Sequence, residues 1–227
     1  MARLSEAHAR LAPRRLVARI LALAALALFG ALLGARTAPA QVFDTLLAQV
    51  DSKTIASSDI ALVRALGIFG YEPTSAPIGR ADIDRFVDIL LILTEAGRIG
   101  LSVEPAQADQ AWVAIAERAG GEAAFERWLG EHAIDRDWAR RFVQDDLLRS
   151  KYFDERFAAF VFPEEDAVTR ELGPGQHDEI ERERARQKLI RAAALKAQAE
   201  WLQGARRRAS IKILLPDASM ALPFPPP

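Results

Sequence analysis

Among the residues of this chain, two pairs of neighbouring acids have a type and spacing closest to those of a catalytic acid–base pair. They are Asp145-Asp146 and Glu164-Glu165. Paired carboxyl groups are the usual agents of general acid–base catalysis when both reach the same reacting atom. Both pairs lie in segments with helical spacing, where side chains at consecutive positions do not face each other. The sequence therefore predicts a solvated helix face at each pair, in preference to a catalytic dyad.

Other reactive sites have little support. The chain has no cysteine, which excludes a disulfide or a thiolate site, and its three histidines, His8, His132 and His177, are far apart in sequence. The HExxH spacing of zinc enzymes, the GxSxG motif of serine hydrolases and the GxxxxGK[ST] phosphate-binding loop do not occur. We therefore expect a protein that is not an enzyme and that uses no metal or cofactor.

Aromatic side chains give the one positive indication of function. Phe153, Phe157 and Phe160 recur at positions i, i+4 and i+7 of a segment with helical spacing that is interrupted by Pro163. The first interpretation of such a stripe is core packing, here against the last helix of the chain. The alternative is a groove that covers apolar segments of unfolded client proteins, which makes these three residues the candidate client-binding residues.

Charge is unevenly distributed along the 227 residues. Of 30 basic and 31 acidic residues, six Arg and one Glu fall in residues 1–40, which leaves 24 basic and 30 acidic residues in 41–227 and a net charge of −6 there. An acidic body argues against a general nucleic-acid binder. For Arg206-Arg207-Arg208 the sequence favours capping of a helix C-terminus over contact with nucleic acid or acidic lipid.

Residues 1–40 have the order of a secretory signal peptide. Four arginines between positions 10 and 19 precede an apolar run of 14 residues, Ile20 to Leu33, and Ala38-Pro39-Ala40 supplies the small residues of a cleavage site. The run is shorter than the roughly 20 residues that span a bilayer, so a retained anchor is the less favoured alternative. We expect a mature chain that begins near Gln41 in the periplasm, without stable membrane insertion after cleavage.

Hydrophobic periodicity predicts a mainly helical body. The central element is Asp82 to Gly100, which is apolar almost all round and is expected to be a buried helix. A last, long helix is expected to be mostly exposed, with an apolar line through Ile180, Leu189, Ala193, Ala197 and Trp201. The expected helices cover 57–69, 82–100, 105–119, 122–132, 136–160, 164–172 and 178–208.

Strand patterns occur only near the two ends of the body. Two short extended pieces flank the turn Asp51-Ser52-Lys53, and residues 209–215 alternate, with Ile211 and Ile213 on one face. Because a strand needs a partner, we expect a small sheet that joins the N-terminal strands to the C-terminal strand. Residues 216–227, which end in Pro-Phe-Pro-Pro-Pro, are expected to be a disordered or polyproline-type tail.

Five passages of the chain, taken in order, resemble the N-terminal chaperone module of the SurA and parvulin-type family of periplasmic folding factors. They are AQVDSKTIASSDI (48–60), FVDILLILTEAGRIGLSVEP (86–105), FERWLGEHAIDRDWARRFVQDDLLRSKYF (125–153), VFPEEDAV (161–168) and WLQGARRRASIKIL (201–214). The resemblance implies a mainly α, SurA N-terminal-like domain over 41–215. Its helical core would cover 46–172, and a terminal long helix and strand would cover 178–215.

Members of that family often carry a prolyl isomerase domain, and here the chain departs from the pattern. Ten residues, 168–177, lie between Ala167 and Asp178, whereas a domain needs at least about 50 residues. Isomerase activity and its catalytic residues are therefore not expected.

The resemblance implies an exported, ATP-independent chaperone that serves protein folding and outer membrane protein assembly. Its partners would be unfolded outer-membrane or secreted polypeptides, and not nucleic acid. The alternative is a non-catalytic assembly or interaction subunit of the cell envelope with one fixed partner.

Overall fold

The computed structural model describes residues 44–214 and 220–227, and it confirms a mainly α fold with a small sheet. The strands are β1 (Leu46–Val50), β2 (Lys53–Ala56) and β3 (Ile211–Ile213). The helices are α1 (Ser57–Leu66), α2 (Arg80–Arg98), α3 (Pro105–Arg118), α4 (Glu122–Glu131), α5 (Arg136–Arg156), α6 (Glu165–Leu172) and α7 (Glu179–Arg208). A short 3-10 helix, Ala158–Phe160, follows α5.

The sheet joins the two ends of the described domain, as the alternating patterns predict. Its order is β2-β1-β3, and β1 pairs antiparallel with both neighbours. Ala48 lies opposite Ile55 on one side and Ile213 on the other. The turn between β1 and β2 places Asp51 at a φ of 52°, a left-handed conformation that Asp tolerates better than most residues. The turn therefore forms without the glycine that such conformations usually require.

Helix α2 is the central element of the core. It contacts α1, α5, α7 and both N-terminal strands, so different sides of the helix are covered by different neighbours. Its start is fixed by the Asp82 carboxylate, which accepts the backbone N–H of Gly79 at 2.8 Å. The buried side chains are Ile83, Phe86, Val87, Ile89, Leu91, Ile92 and Ala96.

Arg206 connects the last helix to α2, and this differs from the expected helix-capping role. Its guanidinium donates from Nε to the Asp88 carboxylate at 2.6 Å and from a terminal nitrogen to the backbone carbonyl of Asp84 at 2.6 Å. The Asp84 carboxylate lies 3.4 Å away. Tertiary packing of α7 on α2 places two acids within reach of this arginine, and a charge-assisted fork is stronger than an interaction with the helix dipole.

Helices α6 and α7 pack together as a pair. Glu165 on α6 forms ion pairs with Arg182 at 2.6 Å and Arg186 at 3.3 Å on α7, and Val168 is fully buried. The expected apolar line on α7 is partly wrong, since Ile180 is 62% exposed and the buried residues of α7 are alanines. Small side chains let neighbouring elements approach α7 closely. The buried alanines are Ala185, Ala194 and Ala205.

The C-terminal tail is packed in its described part, which corrects the expectation of disorder over 216–227. Met220 pairs with Ile78 as an isolated antiparallel bridge, and Phe224 is buried against the main core. The physical reason is that the apolar side chains of the tail can be buried in the core, and that Ile78 offers a backbone N–H and carbonyl with which Met220 can pair. Residues 215–219 lie outside the described part.

The expected signal peptide, residues 1–40, also lies outside the described residues. Among the helices of 44–214, none has the length and apolar character that crossing a membrane requires.

Candidate functional site

The three phenylalanines identified in the sequence do not form one surface. Phe157 is buried and Phe153 is half-buried, with their ring centroids 6.2 Å apart. Phe157 also contacts Tyr152 at 5.8 Å and Trp201 at 6.1 Å, within a small second core between α5 and α7. Phe160, by contrast, is 71% exposed. The structure therefore brings Phe153 and Phe157 together as packing residues and leaves Phe160 on the surface.

Phe160 and Phe162 form an exposed aromatic pair in the segment between α5 and α6. Phe162 is 84% exposed, whereas Val161 between them is half-buried and packs, with Ala158, against the second core. Val161 has extended backbone angles and directly follows the 3-10 helix that ends at Phe160. The backbone of this segment is thus anchored while two large apolar rings remain in water. We call Phe160 and Phe162 the aromatic pair.

Sequence reasoning missed Phe162 because it followed helical spacing past the point where the helix ends. Helix α5 stops at Arg156, and the chain beyond the 3-10 turn is extended. The signal that could identify Phe162 is its position directly before Pro163, at the point where the helix pattern ends. A residue that precedes proline is biased towards extended conformations, in which alternate residues share a face.

A groove of about 470 Å³ opens between the β1–β2 turn, α2 and α5, and we call it the α2–α5 groove. Half of its lining is apolar, and the other half comes from polar residues of the turn, α1 and α5. An apolar surface with a few polar groups is the usual composition of a binding site. The apolar residues are Phe86, Leu90, Leu93, Phe142 and Leu148, and the polar ones are Ser52, Lys53, Thr54, Asp59 and Asp145.

Two carboxyl groups of the α2–α5 groove bind protons more readily than exposed acids do. Burial raises the pKa of Asp59 to about 6, although its hydrogen bond from the Ala56 N–H, at 2.8 Å, favours the ionised form. Burial also raises the pKa of Asp145, against the opposing effect of Lys53 and Arg141. The negative charge of the groove therefore falls as the pH decreases towards 6.

The acids of each neighbouring pair serve different contacts, as the helical spacing predicts, but Asp145 and Asp146 are half-buried, so the predicted solvated face is wrong for that pair. Asp145 lines the groove, whereas Asp146 accepts the backbone N–H of Phe69 and forms an ion pair with Arg149, both at 3.0 Å. In the second pair, Glu165 is committed to the ion pairs with α7, and Glu164 is the exposed residue that precedes α6.

A larger cleft, of about 690 Å³, lies between the N-terminal part of α3 and α5. Gln107 and Gln110 line it from α3, and Lys151, Asp154 and Glu155 line it from α5. Val103, Ala111 and Leu147 also line it, so the cleft combines apolar surface with charges of both signs.

Over residues 44–214 and 220–227, no group of three or more His, Asp or Glu side chains is placed to hold a metal ion. Neither a protein-family model nor a characterised protein matches the sequence of this chain.

Proposed function

We propose that the protein is an exported, ATP-independent chaperone that holds unfolded outer-membrane or secreted proteins by their apolar segments. The observation that carries this proposal is the aromatic pair, in which Phe160 and Phe162 are 71% and 84% exposed on an anchored backbone. Large apolar side chains that remain exposed on a folded protein, here two positions apart in the sequence, can mark an interaction site. Aromatic rings also supply much contact area for little loss of side-chain entropy.

Apolar contact is non-directional, which suits a protein that must accept many different sequences. The aromatic pair offers contact area without a shaped pocket, and the α2–α5 groove offers an apolar surface of a second kind. Both features bind without an energy source, since contact area alone drives association. The SurA-like resemblance and the expected signal peptide support the same compartment and the same class of clients.

A fixed partner in the cell envelope is the second candidate, and a specific observation favours it. The other large exposed apolar side chains are spread over several elements, so that the aromatic pair is the one concentration of exposed rings in the described part of the chain. A compact aromatic anchor is also typical of the centre of a one-to-one interface.

Light scattering during refolding tests the chaperone proposal. An unfolded outer-membrane protein is diluted from urea with stoichiometric mature chain and without nucleotide, and we expect scattering to be suppressed. The double substitution Phe160→Ser and Phe162→Ser should abolish the suppression at an unchanged melting temperature. Val113→Ser is the matched control, because Val113 is 53% exposed on α3, and it should leave the suppression intact.

A pull-down from periplasm separates the two candidates. Many unrelated unfolded polypeptides on the wild-type chain, lost from the double variant, support the chaperone. One stoichiometric folded partner, together with no suppression of scattering, would replace the chaperone by the assembly subunit.

Export is tested independently of binding. We expect N-terminal sequencing of the protein from the cell envelope to begin near Gln41, as the signal-peptide pattern indicates. Recovery of intact residues 1–40 in the membrane fraction would show a retained anchor instead.

A further inference from the structure

The tail segment 220–227 is held to the main core largely through its own backbone. The backbone N–H of Ile78 donates to the carbonyl of Met220 at 2.6 Å, and the N–H of Met220 donates to the carbonyl of Ile78 at 3.0 Å. The indole Nε1 of Trp128 donates to the carbonyl of Pro225 at 3.1 Å. All three hydrogen bonds use main-chain groups of the tail, which any extended polypeptide could supply.

One side chain of the tail is deeply inserted. Phe224 is 8% exposed, and its ring meets Trp128 edge-on at 5.9 Å and His132 at 6.0 Å between centroids. Trp128 in turn stacks on Phe125 at 6.0 Å between ring centroids, so the site that holds the Phe224 ring, here called the socket, is lined by aromatic side chains. We call the surface formed by Ile78, Trp128 and His132 the tail groove.

The prolines of the tail reduce the conformational entropy that is lost when the tail binds. Pro223, Pro225, Pro226 and Pro227 have restricted φ angles, so little backbone freedom is lost on binding, and they have no N–H that would need a partner. Beyond the socket, Pro226 and Pro227 border a cavity of about 140 Å³ shared with Ile115 and Arg118.

We propose that the tail groove is a binding site for extended, proline-containing segments of other polypeptides that carry one aromatic side chain, and that residues 220–227 occupy it as an intramolecular ligand. The recognition combines backbone pairing along Ile78 with a single aromatic socket. The groove therefore selects for one aromatic side chain and for an extended backbone, and it tolerates variation at the other positions of the bound segment. The identity of the partner as an unfolded polypeptide rests on the proposed function.

An attached ligand competes strongly with a free one. A segment tethered to the same chain acts at an effective concentration on the order of mM, so a free peptide must overcome this competition before it enters the groove. The apparent affinity for a free peptide is accordingly low in the wild-type chain and rises when the tail is released.

The test uses a fluorescently labelled peptide with the sequence of residues 221–227, ALPFPPP, and measures its anisotropy against the mature full chain. Phe224→Ser vacates the socket, and we expect it to bind the peptide at least about tenfold more tightly than the wild type. A labelled peptide with Ser in place of its Phe should not bind. Val113→Ser, which alters an exposed apolar side chain outside the groove, should bind the labelled peptide as the wild type does.

A second variant keeps the inference testable if Phe224→Ser lowers the melting temperature. Met220→Pro removes the N–H that donates to Ile78 and leaves the socket residues unchanged, so it should also increase peptide binding. If folded variants of both kinds bind the peptide no better than the wild type, the tail is a permanent strap and the inference is wrong. If the peptide binds but light scattering is not suppressed, the proposed binding site in the tail groove is supported and the chaperone proposal is wrong. If scattering is suppressed but the peptide does not bind, only the proposal for the tail groove is wrong.

Discussion

Asp51 and Ser210 exchange two hydrogen bonds although 159 residues separate them. The N–H of Asp51 donates to the carbonyl of Ser210, and the N–H of Ser210 donates to the Asp51 carboxylate, each at 2.8 Å. The turn between β1 and β2 is thereby tied to the residue that leads into β3. The same aspartate supplies the left-handed conformation of the turn, so one side chain serves both local and distant structure.

We predict that Asp51→Ala destabilises the fold by about 1 kcal/mol, because it removes the acceptor for Ser210 and places alanine at a left-handed φ. Asp51→Asn keeps an acceptor and tolerates the conformation, so its unfolding midpoint in urea should stay close to that of the wild type. Equal midpoints for the Ala and Asn variants would contradict a role for this contact.

Arg206 should matter far more than its neighbour Arg207. We predict that Arg206→Ala lowers the free energy of unfolding by about 1 to 2 kcal/mol, because hydrogen bonds to Asp84 and Asp88 are lost at a partly buried site. Arg207→Ala is the control, since that residue is exposed one position further along α7. Urea unfolding at low and at high salt checks the prediction, and the effect of Arg206→Ala should persist at high salt.

The partners of Arg206 can be separated by a second experiment. Arg206→Lys keeps the charge but cannot reproduce the fork that reaches both Asp88 and the backbone of Asp84. We expect it to recover only part of the lost stability. If Arg206→Lys restored the full free energy of unfolding, the positive charge alone would account for the contribution of Arg206.

Asp59 should make the fold more stable in mild acid. Its pKa rises from the model-peptide value of 3.8 to about 6 in the folded chain, so the ionised form is disfavoured by folding. The native state therefore binds a proton that the unfolded chain releases, and stability increases as the pH falls from about 7 to about 4. With a difference of roughly two pKa units, the contribution is at most about 3 kcal/mol.

Asp59→Asn isolates this contribution, because asparagine keeps an oxygen for the Ala56 N–H but carries no charge. We expect the variant to be more stable than the wild type at pH 7.5, with a difference that shrinks towards pH 4. Urea unfolding at several pH values measures this. A difference between variant and wild type that does not change with pH would contradict the raised pKa.

The phenylalanines of the original stripe should divide into packing and surface residues. We predict a loss of about 3 to 5 kcal/mol for Phe157→Ala, because the substitution leaves a cavity beside Tyr152 and Trp201. Phe160→Ala should change stability by less than about 0.5 kcal/mol. Thermal unfolding of the two variants checks the division, and similar melting temperatures would show that the second core is not packed as described.

Local pattern predicts much of this fold. The helices follow from apolar spacing and from the Gly and Pro residues between them, and β3 follows from the alternation of Ile211 and Ile213. Its pairing with the N-terminal strand segment follows from elimination, whereas the choice of β1 over β2 is seen only in the structure. Each of these inferences depends on residues within a few positions of one another.

What local pattern cannot predict depends on tertiary contact. Arg206 meets Asp88 across 118 positions, and nothing near either residue indicates the other. The raised pKa of Asp59 results from burial by elements elsewhere in the chain, and the socket for Phe224 exists only once α4 is packed. The Pro-rich composition of the tail on its own indicates disorder, but in the folded chain Met220 pairs with Ile78 and Phe224 is buried in the main core.

The central position of β1 in the sheet has a consequence for when the domain can fold. A chain that emerges N-terminus first presents β1 early, but its second neighbour, β3, emerges only after every helix has been made. Contacts so distant in sequence slow the final step of folding. The nascent domain therefore cannot complete its sheet until nearly the whole of 44–214 has been synthesised.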